Sequence, residues 1–151
     1  MWFHANLDGP AGPWWPDNSG SCVGVSAPRF NALKAAGRTP PPWQSVLALV
    51  DTGASCTCID PSVIEALDLQ PTGTVPIHTP TTGGTPKVCN QYDVGLALLI
   101  APQQVHVSAF TIAVVEAALS EQGIQALIGR DVLSKGMLVY NGVHGSLSLA
   151  F

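Results

Sequence analysis

The residues best suited to chemistry are Asp51-Thr52-Gly53-Ala54, which follow directly on an apolar run, Ser45-Val46-Leu47-Ala48-Leu49-Val50. A carboxylate at the end of a buried strand, with glycine close behind it, sits on a tight loop that backbone amides can approach. A threonine next to the acid can use its hydroxyl to fasten such a loop. Held there, the carboxylate could act as an acid or base toward a bound molecule. The same D-x-G pattern also makes plain surface turns after strands, so by itself it leaves both readings open.

A second block lies far downstream, Ala126-Leu127-Ile128-Gly129-Arg130-Asp131-Val132-Leu133: apolar residues, a glycine, then the start of a short helix. Between the two blocks stands a glycine hairpin, Thr79-Pro80-Thr81-Thr82-Gly83-Gly84-Thr85, followed by Lys87-Val88-Cys89-Asn90-Gln91-Tyr92-Asp93-Val94. In this order the blocks resemble the retropepsin-type aspartic proteases, in particular their soluble bacterial members, over roughly Ser45 to Phe151. The resemblance implies an all-β retropepsin-like acid protease fold, a closed or partly open β-barrel with one or two short helices. It also implies an aspartic endopeptidase acting on extended segments of a peptide or protein substrate, with no cofactor. Such enzymes need two carboxylates ~3 Å apart that share one proton, because both cannot ionise at that distance. The chain holds a single D-[TS]-G, since Asp8-Gly9 and Asp17-Asn18-Ser19 do not match. The second acid is therefore expected from another copy of Asp51, in a homodimer with the site on its two-fold axis.

The same resemblance assigns individual roles. Asp51 is the shared acid and base, Thr52 bonds across the dyad to the partner loop, and Gly53 lets substrate and water approach the backbone. Ala54, also on the substrate side, cannot donate a hydrogen bond to the carboxylate, so the optimum is expected to be less acidic than that of a gastric-type enzyme. Thr81, Thr82, Gly83 and Gly84 form the tip of a flap that closes over the peptide and adds strand-like hydrogen bonds. Ile128-Gly129 underlies the catalytic loop. Ser55 stands where retroviral members often carry an acid that pairs with the arginine of the Gly-Arg block, so Arg130 is expected to turn to Asp131 or Asp60. Ser146 to Phe151 either joins an intersubunit sheet built from chain ends or is an ordinary core strand.

The elements that must position these residues read as short strands. Gly 15 and Pro 13 in 151 residues are dense turn formers against an average near 12% for the two together. Strands are expected at Ser45–Val50, Ser55–Ile59, Thr74–His78, Pro86–Asp93, Val94–Ile100, Val105–Val115 and Ile124–Ile128. A last hairpin pairs Met137–Tyr140 with Ser146–Phe151 across Asn141-Gly142-Val143-His144-Gly145. Pro28 to Ala36 has a helical look, with proline early and Gly37 as a stop, and Asp60-Pro61 reads as an N-cap and first helical position of a helix to Leu67. Arg130 to Lys135 makes a helical turn or two. Residues 1–44 read as an N-terminal arm, partly packed on the core, and 45–151 as the protease domain.

Composition removes other classes. Charged residues are only 11% of the chain, the net charge is −4, and six Lys and Arg are scattered; nucleic acid is not an expected partner. No apolar run approaches the ~20 residues of a membrane span, and the N-terminus lacks the basic, then apolar pattern of an export signal. The four cysteines, Cys22, Cys56, Cys58 and Cys89, are then expected as reduced thiols in the cytoplasm. Cys56, Cys58 and Cys89 with His78 could in principle ligate zinc, although structural sites favour wider spacing and C-x-C on a strand suits packed thiols. No His, Ser or Cys set for nucleophilic catalysis and no phosphate-binding glycine motif is present. The rival reading is a dimer of the same fold that binds peptides without cutting them.

Overall fold

The computed structural model describes residues 2–3, 23–78, 85–99, 107–144 and 146–151. The expected flap tip at 79–84 and Cys22 lie outside the described residues.

Alternating and continuous apolar runs fold here as one large curled sheet with small helices on it. The strands are β1 (Trp2–Phe3), β2 (Val23–Val25), β3 (Ala48–Val50), β4 (Cys58–Ile59), β5 (Gly73–Ile77), β6 (Lys87–Leu99), β7 (Val107–Glu116), β8 (Ala126–Ile128), β9 (Met137–Asn141) and β10 (Ser146–Ala150). The helices are α1 (Ala27–Ala35), α2 (Pro61–Ala66) and α3 (Arg130–Leu133), with a 3₁₀ turn at Ser120–Gln122. The main sheet runs β1-β3-β8-β4-β7-β6-β2, with β5 added to β6. Mostly β with few short helices, this is the expected class.

The decisive placement is β8. It pairs in parallel with β3, Val50 opposite Ile128, and antiparallel with β4, Cys58 opposite Leu127. The strand leading into Asp51 and the strand leaving its loop are thus held on either side of one short segment from far down the chain. Ile59, Leu67, Leu96, Ile124 and Ile128 are wholly buried, each contributing roughly 1.5–3 kcal/mol of apolar burial.

Two strands expected separately, Pro86–Asp93 and Val94–Ile100, are one strand. β6 continues through Gly95 because no turn former separates Asp93 from Val94, and its pairing with β7 holds register from Gln91–Val115 to Leu99–Val107. Gly95 stands opposite Gly24 of β2, and the Trp43 ring fills the space their missing side chains leave. A Cβ on Gly24 would come within 2.6 Å of that ring. The strand expected over Ser45–Val50 is shorter, and so is that over Ser55–Ile59, where the chain bends at Ser55 and Cys56 and pairs only from Cys58.

The helices start and stop where the residues direct. α1 carries Pro28 in its first turn and ends at Gly37, which takes a φ of +68° and whose N–H donates to the Lys34 carbonyl at 3.0 Å. Arg29 of α1 forms an ion pair with Asp68, just past α2. Asp60 caps α2 and does more: its carboxylate accepts from the Ser62 N–H (3.0 Å) and hydroxyl (2.7 Å) and from the N–H groups of Leu119 and Ser120 (both 2.8 Å). Burial alone would raise the pKa of Asp60. The Ser62 hydroxyl and the backbone donors outweigh burial and hold it well below the usual carboxylate range.

A depressed folded-state pKa gives stability that is complete above the unfolded value, about 4, and is lost as pH falls from there through the folded value. Asp60→Asn is therefore expected to lose about 2 kcal/mol at neutral pH. Denaturant unfolding over a pH series should show the gap from wild type closing as acid protonates Asp60; a gap constant with pH would refute that assignment.

β9 and β10 form a sheet of their own, Leu138 opposite Leu149. Leu149 packs on the core, while Met137 and Val139 are 62% and 51% exposed. Among the described residues no helix is long and apolar enough to cross a membrane.

Candidate active site

Asp51 emerges from the end of β3, where its N–H donates to the Ile128 carbonyl at 3.0 Å. The loop then turns tightly. The Gly53 N–H donates to Asp51 Oδ1 at 2.7 Å, and the Ala54 N–H to the Asp51 carbonyl at 3.3 Å. From beneath, the Arg130 N–H donates to the Ala54 carbonyl at 3.0 Å. Asp51 is half-buried, Thr52 and Gly53 are exposed, and Ala54 is half-buried. The four loop residues singled out in the sequence thus lie together on one rigid turn with the carboxylate at its edge. Thr81, Thr82, Gly83 and Gly84 lie outside the described residues, but β5 and β6, which lead to them, pair as a hairpin from Gly73–Gln91 to Ile77–Lys87.

Glycine at 129 is required by closeness rather than by torsion. A Cβ there would stand 2.5 Å from the Cys56 carbonyl oxygen and 2.6 Å from its carbon. The backbones of the two distant blocks touch, which sets how far the Asp51 loop rises above β8.

Thr57, which sequence reasoning did not single out, and Asp131, which it offered only as a partner for Arg130, fasten this contact. Thr57 is wholly buried. Its N–H donates to Asp131 Oδ2 at 2.9 Å, its hydroxyl donates to Asp131 Oδ1 at 2.7 Å, and that hydroxyl accepts from the Gly129 N–H at 3.1 Å. The available signal was chemical: a hydroxyl and a carboxylate stranded in otherwise apolar segments must find partners when buried.

This lock corrects the expected pairing of Arg130. Asp131 is committed to Thr57 and to the Val132 N–H (2.9 Å), and Asp60 to Ser62, Leu119 and Ser120. Arg130 braces the loop through its backbone N–H, and the residue is exposed. Asp68, past α2, pairs instead with Arg29.

Cys56, Cys58 and Cys89 are free thiols, each half-buried. Among the described residues no group of three or more His, Cys, Asp or Glu is arranged to hold a metal ion. Burial first, then the charge and hydrogen bonding of Cys56, push the Cys58 thiol up to about 12.

Against known families, residues 43–132 match the model described as aspartyl protease. The matched stretch begins at Trp43 and runs through the Asp51 loop, β5 and β6 to Val132, in the helix beneath that loop. No curated relative matches the chain.

Proposed function

Because the chain belongs to the aspartyl protease family, whose model covers residues 43–132, we propose that it is an endopeptidase whose active site forms from two copies of Asp51 across a homodimer axis. Its fold is the retropepsin-like all-β fold. The observation that carries the proposal is the Asp51 loop itself. It is clamped from three sides by backbone hydrogen bonds, yet Thr52 and Gly53 face solvent. A single chain carries one such carboxylate and leaves its neighbours uncovered; a second copy supplies the other acid and covers them.

In that dimer the two carboxylates hold one proton between them. The ionised one takes a proton from water as that water attacks the scissile carbonyl; the protonated one donates to the carbonyl oxygen. The tetrahedral intermediate collapses when the leaving nitrogen is protonated from the dyad, with no covalent enzyme intermediate. Thr52 would bond to the partner loop and keep the carboxylates coplanar. Ala54 would line the substrate side, and Thr81, Thr82, Gly83 and Gly84 would close over an extended peptide. The exposed side of β9, with Met137 and Val139, is the surface on which the second copy is proposed to pack.

The test is cleavage of a diverse pool of unstructured peptides between about pH 4 and 7, bracketing plausible dyad titrations, with new termini read by mass spectrometry. Cuts carrying one oxygen from labelled water are expected. A stable dimer that binds peptides and cuts none would replace this reading with that of a non-catalytic binder.

A further inference from the structure

We propose that Cys56 and Cys58 form a redox switch on the catalytic loop: oxidation joins them in a disulfide around Thr57, loosens its hold on Asp131 and Gly129, and stops the protease. The effect on cleavage rests on the function proposed above; bond formation and loosening do not.

The geometry favours this pair. The chain bends at Ser55 and Cys56 immediately before β4, and the Cys58 thiol turns back to 3.9 Å from the Cys56 carbonyl oxygen. Both are free, half-buried thiols only two residues apart in the chain. Cys89 stands on β6 and directs its thiol along its own strand, 3.8 Å from the Lys87 carbonyl. A disulfide draws its sulfurs to about 2.05 Å and tolerates only a narrow range of backbone separations. The ring formed by Cys56 and Cys58 would enclose Thr57, the residue with three hydrogen bonds to the segment beneath the loop. The Cys56 carbonyl cannot yield toward Gly129, since the backbones already approach so closely that a Cβ on that glycine would fall 2.5 Å from its oxygen. Closing the ring therefore moves Thr57 rather than the segment below.

The chemistry balances with a peroxide as oxidant. The Cys56 sulfur, as thiolate, attacks a peroxide oxygen; the O–O bond breaks, hydroxide leaves, and a sulfenic acid forms. The Cys58 sulfur then attacks the Cys56 sulfur, the S–O bond breaks, and the hydroxide departs with the Cys58 proton as water. Two thiols are oxidised and one hydrogen peroxide is reduced to water. With its thiol held protonated, Cys58 is the slower to meet oxidant and serves as the resolving partner.

The full chain would be treated with hydrogen peroxide, the remaining thiols alkylated, and the peptides mapped by mass, with amide exchange followed at Thr57 and Gly129. The peptide spanning Cys56 to Cys58 should lose two hydrogens in wild type and in Cys89→Ser, and remain unbridged in Cys56→Ser. The Thr57 and Gly129 amides should exchange faster after oxidation. Cleavage should fall by about tenfold or more, recover with dithiothreitol, and resist peroxide in Cys56→Ser. Failure to bridge, a bridge to Cys89 instead, or a bridge that leaves Thr57 and Gly129 exchange unchanged would overturn the proposal. Reduced protein that cuts no peptide would count against the protease reading alone, because mass and exchange still decide the switch.

Discussion

Replacing Asp51 by Asn is expected to reduce peptide cleavage by about three orders of magnitude or more with little change in thermal midpoint. The side chains have the same shape, and an amide oxygen can still accept the Gly53 N–H that Asp51 Oδ1 accepts at 2.7 Å. What the amide cannot do is take a proton from water or share one with a second carboxylate. A peptide-binding protein of the same fold would bind equally well with either residue. Mixing gives a sharper result. If each site needs both copies of Asp51, an equal mixture of wild type and Asp51→Asn, exchanged to equilibrium, retains about a quarter of the activity of pure wild type at the same total protein concentration, since only dimers with two native chains work. Activity of about one half would mean each chain works alone, and the two-fold site would be wrong.

Gly129→Ala is expected to be the most damaging single methyl addition near the site. Its Cβ would meet the Cys56 carbonyl oxygen at 2.5 Å, the carbonyl carbon at 2.6 Å and the Cys56 nitrogen at 3.1 Å. All three are backbone atoms, so no rotamer change relieves the clash. The loop must lift from β8, breaking the Gly129–Thr57 contact and moving Asp51. A loss of about 3 kcal/mol is expected from overpacking of this kind, or a midpoint lower by about 10 °C at this chain length, measured by calorimetry. Cleavage by whatever remains folded should also fall, because a displacement of ~1 Å at a catalytic group can cost a hundredfold. A variant with native stability would show that the loop and β8 can separate freely, contrary to the close contact described.

Much of the fold was legible because its signals are local. Pro28 and Gly37 bracket α1, Asp60-Pro61 opens α2, and Asn141-Gly142 turns the last hairpin; each depends on backbone preferences within a few residues. The Asp51 loop was legible for the same reason, since an apolar strand running into D-T-G-A restricts its own geometry. β6 reads as two strands in the sequence because the polar stretch to Asp93 gives way abruptly to an apolar run from Val94, and only its continuous pairing with β7 shows that one strand carries both. In the fold Gly95 faces Gly24 and leaves room for the Trp43 ring, so the glycine serves packing rather than a turn.

The chain's residues by themselves determined which carboxylate stands at the end of a strand, and that only one such loop is present. The order of the two blocks also pointed to the family. Tertiary structure alone decided how the blocks meet: β8 between β3 and β4, Gly129 against Cys56, and Asp131 holding Thr57 while Arg130 contributes its backbone. Local preference can specify a turn or a cap. A contact between residues far apart in the chain is selected by burial and by the need of buried polar groups for partners, and those requirements become definite only when the strands are side by side.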